Sequence, residues 1–158
     1  MIPIQYVVGD ATNPQGKGHK VIVHCCNDIG GWGAGFVLAL SAKWPQPEEM
    51  YHKWFEQSEP QLGDIQVIKV ENDISVCNMI GQHLVASMSK TPPIRYEAIK
   101  KGLSTLRDYI QHKPSTIHAP RFGTGLAKGR WDKIEMIIKN ELSQYDISVT
   151  IYDLKQGE

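Results

Sequence analysis

Apolar residues in this chain fall into short runs separated by longer segments in which they recur every three or four positions. The runs at residues 4–8, 21–26, 65–70, 74–80 and 116–119 are rich in β-branched residues, and residues 147–151 are apolar at every second position. Such runs are typical of β-strands. Because the run at 21–26 is apolar at nearly every position, it predicts a central strand that is covered on both faces.

The segments between these runs have helical periodicity. The pattern predicts helices over residues 35–44 and 47–57, a long amphipathic helix capped by Thr91 and continuing past Ile110, and a further helix from Trp131 to Leu142. Residue 44 precedes a proline, which disfavours helix and ends the first segment. Strands interleaved with helices predict an α/β layered domain with a largely parallel central sheet.

Two glycine-rich segments stand at strand-to-helix transitions. Residues 30–35 read Gly-Gly-Trp-Gly-Ala-Gly, and residues 120–126 read Pro-Arg-Phe-Gly-Thr-Gly-Leu. Positions without side chains let backbone N–H groups approach an anion, and a following helix N-terminus adds unpaired donors. In parallel sheets such loops meet at the carboxyl ends of the strands, where ligands bind. The two loops therefore predict a site for a diphosphate.

Length and charge narrow the classes of function. A chain of 158 residues fits one domain over residues 1–158. With 17 basic and 17 acidic residues, no overall field favours nucleic acid or a membrane surface. We see no targeting segment or long apolar span and expect a cytoplasmic protein. Cys25, Cys26 and Cys77 lack the spacing of metal ligands, so we expect neither a disulfide framework nor a metal site.

Several motifs together resemble those of the macrodomain family of ADP-ribose binders. They are residues 8–12 (Val-Gly-Asp-Ala-Thr), residues 24–27 (His-Cys-Cys-Asn), the two glycine loops and Trp131. The likeness extends over residues 4–154 and is greatest to the branch with ADP-ribose-1″-phosphate processing proteins and the terminal ADP-ribose protein glycohydrolase. It implies a three-layer α/β/α macrodomain-like fold with a mixed, largely parallel central sheet. It also implies ADP-ribose as ligand and no cofactor.

The resemblance also implies roles for residues outside the glycine loops. Asp10 would accept a hydrogen bond from the adenine amino group and the Ala11 backbone would complete that contact, although aspartate is also a common turn former. Asn27 would bond the hydroxyl groups of the distal ribose, or it forms a turn. Tyr152, on the outward face of its strand, would offer its ring to adenine or the proximal ribose, or it is a surface tyrosine.

Within the loops, the resemblance implies two groups of ligand contacts. The first loop would surround the distal ribose and one phosphate, and the second would close over the diphosphate. Trp32 either covers the distal ribose or packs down to hold its loop. The implied residues are Gly31, Trp32, Gly33, Ala34 and Gly35 in the first loop, and Gly123, Thr124, Gly125 and Leu126 in the second.

The lysine-dependent mechanism of the related glycohydrolase is not expected in this chain, because its lysine and aspartate are replaced by Gln82 and Ala127. His24 is the candidate catalytic residue, since an imidazole can activate water. Alternatively, His24 only bonds a neighbouring group, and water held by the diphosphate of the ligand acts without a protein base. Asp28 either assists or is solvated.

The predicted function is hydrolysis of the C1″ substituent of an ADP-ribose derivative, either ADP-ribose 1″-phosphate or a mono-ADP-ribosyl group. The alternative is a non-catalytic reader of free or protein-attached ADP-ribose. An ADP-ribosylated protein is the partner that either prediction allows.

Overall fold

The structure, a computed structural model, describes residues 1–155, so residues 156–158 of the predicted domain lie outside it. Within the described range, six strands are interleaved with four helices. The strands are β1 (Gln5–Val8), β2 (Lys20–Asn27), β3 (Ile65–Glu71), β4 (Ile74–Gln82), β5 (Thr116–Ala119) and β6 (Val149–Asp153). The helices are α1 (Phe36–Lys43), α2 (Gln46–Gln57), α3 (Tyr96–His112) and α4 (Trp131–Glu141).

The strands form one sheet in the order β1-β6-β5-β2-β4-β3. Only the β3–β4 pair is antiparallel among the described strands, and the other neighbours are parallel. A turn of two residues joins β3 to β4, whereas parallel neighbours need the crossover connections that the helices supply. The predicted mixed, largely parallel sheet is confirmed.

Helices cover both faces of the sheet. Alternate side chains of β2 enter opposite layers, with Val21 and Val23 in the cluster that includes residues of α3 and α4, and Ile22 in the cluster with residues of α1 and α2. This alternation follows from the two-residue repeat of a strand and explains why β2 is apolar throughout. The three-layer α/β/α arrangement is therefore also confirmed.

The start of α3 differs from the prediction. Thr91 does not cap it, because the helix begins at Tyr96 with Arg95 as its N-cap. Ile94 forms an antiparallel bridge with Gln82, and its N–H donates to the Ala127 carbonyl at 3.0 Å. These bonds hold the residues before Arg95 in an extended path beside β4.

Both glycine loops lie at the same edge of the sheet. One follows the carboxyl end of β2 and the other follows that of β5, and these two strands are parallel neighbours. Asp10 follows β1 at the same edge, and Gly9 donates its N–H to the Asp153 carbonyl of β6 at 2.8 Å. The fold therefore brings three separated parts of the sequence to one edge. No helix in residues 1–155 has the length and apolar character needed to cross a membrane.

Candidate functional site

A cavity of about 640 Å³ opens between the two glycine loops. Its walls are residues 24–27 at the end of β2, residues 31–37 of the first loop and α1, residues 82 and 85–87 after β4, and residues 120–127. Its volume lies within the range of small-molecule sites, which is about 300–1,000 Å³. The cavity is therefore the candidate ligand site.

Most of the predicted site residues line this cavity. Asp10, Ala11 and Tyr152 are not among its lining residues. Those that do line it are His24, Asn27, Gly31, Trp32, Gly33, Ala34, Gly35, Gly123, Thr124, Gly125 and Leu126.

The side chain of Asn27 holds the first loop in place. Its Oδ1 accepts the N–H groups of Ile29 at 3.1 Å and Gly31 at 2.8 Å, and its Nδ2 donates to the Gly31 carbonyl at 2.9 Å. The Tyr51 hydroxyl lies 2.7 Å from the Asn27 carbonyl and 3.0 Å from Oδ1. Burial raises the pKa of Tyr51, so its hydroxyl stays a donor. Most of the hydrogen-bonding capacity of Asn27 is thus used inside the loop, leaving one Nδ2 hydrogen for a ligand.

Trp32 packs down beneath the loop. It is 9% exposed, its Nε1–H donates to Ser41 Oγ at 2.8 Å, and its ring centroid is 5.2 Å from that of Tyr51. This geometry has Trp32 anchoring the loop, which is one of the two roles considered for it. Trp32 is also among the lining residues of the cavity, so its contact with the distal ribose stays a prediction.

Gly33 and Gly125 leave backbone open to the cavity, one in each loop. A Cβ atom built at either position would have no heavy-atom neighbour within 4 Å. Phe36 and Val37, in the first turn of α1, also line the cavity. N–H groups in the first turn of a helix have no partner within the helix and carry partial positive charge. The first loop and the first turn of α1 thus bring backbone donors to the cavity, and anion binding there stays a prediction.

The second loop is built differently. Gly123 has a φ of +79°, and a Cβ there would lie 2.7 Å from Ile94 Cδ1 and 3.0 Å from Ile134 Cδ1. The Gly129 N–H donates to the Gly123 carbonyl at 2.7 Å. Helix α4 begins only at Trp131 and contributes no lining residue. The prediction that a helix N-terminus supports this loop as well is therefore wrong.

His24 lies in the floor of the cavity and is 2% exposed. Its Nε2 is 2.5 Å from Asn78 Oδ1, and because an amide oxygen accepts, Nε2 carries the proton. Burial lowers the pKa of His24 to about 4, against the opposing effect of this hydrogen bond. The imidazole is therefore neutral at pH 7 and a weak base. Its catalytic role stays a prediction, and the geometry counts against it.

Asp10 is exposed and partly engaged in its own turn. Its Oδ1 accepts the backbone N–H and the hydroxyl of Thr12, both at 2.8 Å. Its Oδ2 accepts no hydrogen bond from residues 1–155 and is free to accept one from an exocyclic amine. Ala11, next to it, is 2% exposed. Both remain predicted adenine contacts, and the turn role considered for Asp10 is present as well.

Tyr152 is not a surface residue, so the surface alternative considered for it is wrong, while contact of its ring with adenine or the proximal ribose stays a prediction. It is 4% exposed, and its hydroxyl accepts the Gln15 N–H at 2.9 Å. The same hydroxyl lies within hydrogen-bond distance of His118 Nδ1, at 2.8 Å. The segment between β1 and β2 covers this face of β6. Strand alternation correctly separated Tyr152 from the Ile151 core but could not show that a loop lies over it.

Sequence reasoning missed several residues of the cavity wall. Phe36 and residues 85–87 line it, and Tyr51 orders the first loop from beneath. The short 3-10 helix Ala86–Met88 carries part of this wall. Gln82, which the resemblance places at the lysine position of the related glycohydrolase, lines the cavity as well. Nothing in the sequence pairs Tyr51 with Asn27.

Four of the lining residues have titratable side chains: His24, Cys25, Cys26 and Arg121. Burial raises the pKa of Cys25 to about 12 and that of Cys26 well above its ordinary value. Arg121 forms an ion pair with Asp153, with Nε 2.6 Å from Oδ1. The lining therefore offers no group that titrates near neutral pH. Residues 1–155 also contain no cluster of three His, Cys, Asp or Glu side chains suited to a metal ion.

No family model matches this chain. Among solved structures, a protein of unknown function from Bacteroides thetaiotaomicron is 52% identical, with a TM-score of 0.94 over 97% of this chain and 99% of the other. A macrodomain protein from Streptomyces coelicolor is 45% identical, with a TM-score of 0.84 over 96% of this chain and 99% of the other. The chain belongs to the macrodomain family. This finding confirms the resemblance that the sequence motifs indicate.

The curated relatives of this macrodomain are more distant. Chromodomain-helicase-DNA-binding protein 1-like from Danio rerio is 28% identical over 98% of this chain, which spans only 16% of that protein. An ADP-ribose 1″-phosphate phosphatase from Lodderomyces elongisporus is 22% identical, over 95% of this chain and 99% of that protein. ADP-ribose glycohydrolase OARD1 from Bos taurus is 24% identical, over 96% of this chain and 91% of that protein.

Proposed function

We propose that this macrodomain binds ADP-ribose and hydrolyses the C1″ substituent of an ADP-ribose derivative. The observation that carries the proposal is the cavity between the two glycine loops, where open backbone at Gly33 and Gly125 meets the first turn of α1. This arrangement suits a diphosphate. Two full-length relatives, named ADP-ribose 1″-phosphate phosphatase and ADP-ribose glycohydrolase, support a hydrolytic role.

The proposed orientation of the ligand follows the order of the strands. Adenine would lie near Asp10 after β1, the diphosphate between the loops after β5 and β2, and the distal ribose near Asn27 and Gln82. The free Oδ2 of Asp10 would accept the adenine amino group and disfavour a base that presents a carbonyl.

Hydrolysis would use water held against the diphosphate of the ligand. The reason is that His24 is a weak base with a pKa of about 4, and the cavity thiols have raised pKa values. General base catalysis needs a group whose pKa is near the working pH. Of the mechanisms considered from the sequence, the one without a protein base fits these values best.

A non-catalytic reader of ADP-ribose is the second candidate. It is favoured by Gln82 and Ala127, which provide no acid, base or nucleophile at the positions where the related glycohydrolase has lysine and aspartate. A cytoplasmic location and an ADP-ribosylated protein partner fit either function and remain part of the proposal.

One experiment separates the two functions. ADP-ribose binding is measured by calorimetry, and the same sample is incubated with ADP-ribose 1″-phosphate and with a mono-ADP-ribosylated protein while released phosphate and ADP-ribose are followed. Binding with release from either substrate supports the hydrolase, binding without release supports the reader, and absence of binding contradicts both.

The His24→Asn variant tests the catalytic prediction in that assay, because an amide can still donate to Asn78. Unchanged turnover would assign His24 a structural role, whereas a loss of activity with intact binding would make it catalytic. His52→Ala, an exposed histidine on α2, is the control.

A further inference from the structure

A second cleft lies beside the cavity at the same edge of the sheet. It has a volume of about 410 Å³ and is lined by Asp28, Pro60, Gln61, Leu62 and His83. Asn27 and Gln82, at the ends of β2 and β4, line the cavity. The residues that directly follow them, Asp28 and His83, line the cleft. These strand ends form the wall between the two.

A carboxylate–imidazole pair is fixed in this cleft. His83 Nδ1 lies 2.7 Å from Asp28 Oδ2, and Asp28 Oδ1 accepts the Leu84 N–H at 2.8 Å. The backbone N–H of His83 donates to the Pro93 carbonyl at 2.8 Å. Leu84 has a left-handed φ of 60°, a conformation that costs a leucine about 1–2 kcal/mol and needs such support.

The pair leaves one imidazole nitrogen free. Because a carboxylate only accepts, Nδ1 carries the proton and Nε2 of the neutral ring is an acceptor. Nε2 has no hydrogen-bond partner within residues 1–155, and the His83 side chain is 46% exposed, against 14% for Asp28. The cleft therefore presents a fixed acceptor to an incoming group.

The charges around the cleft do not favour an anion. None of its five lining residues is lysine or arginine. Asp28 offsets any positive charge on His83, and Asp64, which accepts the Gln61 N–H at 2.8 Å, adds a second carboxylate paired with Lys101 at 3.5 Å. A free phosphate or a nucleic-acid backbone would meet no unpaired cation among the lining residues. A polypeptide, which supplies N–H donors along its length and apolar surface for the half-buried Leu62, fits better.

The strand order places this cleft next in line after the distal ribose. From β1 to β4, the sheet edge carries Asp10, then the two glycine loops, then Asn27 and Gln82, and the cleft lies beyond them toward the start of β3. A ligand bound as proposed would point its C1″ substituent toward the shared wall.

We propose that the second cleft binds the polypeptide segment attached to the distal ribose of an ADP-ribosylated protein, with His83 Nε2 accepting a hydrogen bond from it. This inference rests on the proposed ADP-ribose site. It makes His83 a specificity-determining residue and Asp28 the residue that fixes its tautomer and orientation.

The test compares calorimetric affinities for three probes: free ADP-ribose, ADP-ribose 1″-phosphate, and a pentapeptide carrying ADP-ribose through a hydrolysis-resistant linkage. The wild-type protein should bind the peptide conjugate roughly five- to tenfold more tightly than free ADP-ribose, the gain of about one net hydrogen bond. His83→Ala should lose this gain while its affinity for free ADP-ribose stays unchanged. His52→Ala is the matched control, since His52 is 45% exposed and also faces a carboxylate, Glu48.

A second variant keeps the result independent of folding defects at His83. Asp28→Asn retains an acceptor for the Leu84 N–H but removes the charge that fixes the imidazole. The extra affinity for the peptide conjugate over free ADP-ribose should therefore fall in part. Equal wild-type affinity for peptide conjugate and free ADP-ribose would overturn this inference alone. So would a gain that survives His83→Ala, or a His83-dependent gain for ADP-ribose 1″-phosphate or an ADP-ribosylated oligonucleotide. Absence of ADP-ribose binding would instead overturn the proposed function itself.

Discussion

The first glycine loop is held by side chains, whereas the second is held by its backbone and by the core beneath it. Asn27, Tyr51 and Trp32 fix the first loop through hydrogen bonds and aromatic packing. In the second loop, Gly123 sits in a left-handed conformation against Ile94 and Ile134, where no side chain fits. Two glycine-containing segments that line the same cavity thus owe their order to different interactions, and substitutions should affect them differently.

The largest expected effect comes from placing a negative charge in the space that the loops share. Gly33→Glu adds a side chain where a Cβ has no neighbour within 4 Å, so the protein should fold normally. ADP-ribose affinity should fall roughly a hundredfold or more, since like charges facing each other cost several kcal/mol. Calorimetry measures the affinity.

Gly125→Glu is the counterpart in the second loop and should also weaken binding, because its Cβ position is equally open. Gln111→Glu, on an exposed position of α3, controls for added charge. Full affinity in folded Gly33→Glu would remove the first loop from the site.

The next prediction compares how much side-chain hydrogen bonds in each loop contribute to the free energy of unfolding. Asn27→Ala removes the partners of two N–H groups and one carbonyl in the first loop, and should cost roughly 2–3 kcal/mol in the free energy of unfolding. Thr124→Ala removes one hydrogen bond, to the Arg121 carbonyl, and should cost roughly 1 kcal/mol or less. Urea unfolding measures both. Equal losses would contradict the proposed difference between the loops.

Backbone strain should distinguish two glycine positions within the second loop. Gly123→Ala places a Cβ 2.7 Å from Ile94 Cδ1 at a φ of +79°, and should destabilise the protein by roughly 1–2 kcal/mol. Gly125→Ala, in the same loop but with open space, should change the free energy of unfolding by roughly 0.5 kcal/mol or less. The comparison uses urea unfolding curves, and a neutral Gly123→Ala would show that the core yields to the added methyl group.

The smallest effect is a pH dependence of the free energy of unfolding, which comes from buried histidines in the strands that precede the two loops, His24 in β2 and His118 in β5. Burial lowers the folded-state pKa of His24, beneath the first loop, to about 4, and that of His118 to about 4, from 6.5. The unfolded state therefore binds more protons below pH 6.5, and stability falls as the pH drops from 6.5 toward 4. The loss should be about 1 kcal/mol per histidine between pH 6.5 and about pH 5.5.

Urea unfolding at several pH values measures this loss. In His24→Gln, the loss of unfolding free energy between pH 6.5 and about pH 5.5 should be smaller than in the wild-type protein by the contribution of one histidine, about 1 kcal/mol. A loss unchanged from that of the wild-type protein would contradict the lowered pKa.

The order of elements and the site at the sheet edge could be predicted from sequence, because strand and helix periodicities are local and the glycine loops follow strands. Features that depend on contacts between residues far apart in the sequence could not be predicted. Thr91 is a residue type that often caps helices. However, Ile94 pairs with Gln82 in an extended conformation, and α3 therefore begins only at Tyr96.

The site residues follow the same division. Glycine positions open to the cavity could be predicted from composition, whereas the roles of polar and aromatic residues depended on packing. Asn27 was expected to face the ligand, yet most of its hydrogen bonds go to its own loop. Tyr152 was expected to offer its ring to the ligand or to lie at the surface, yet it is buried, and its hydroxyl accepts the N–H of Gln15, which is 137 positions away in sequence.

The pairing of β1 with β6 has a consequence for how this macrodomain forms during synthesis. In the described chain β1 is hydrogen-bonded to β6 alone, and the register joins Gln5 to Thr150. Contacts so distant in sequence form late, because the loop between them must first be closed. A nascent chain that has not reached Val149 cannot dock β1. Asp10, which follows β1, would therefore gain a fixed position only after β6 has been made, and recognition of the base would depend on synthesis of that strand.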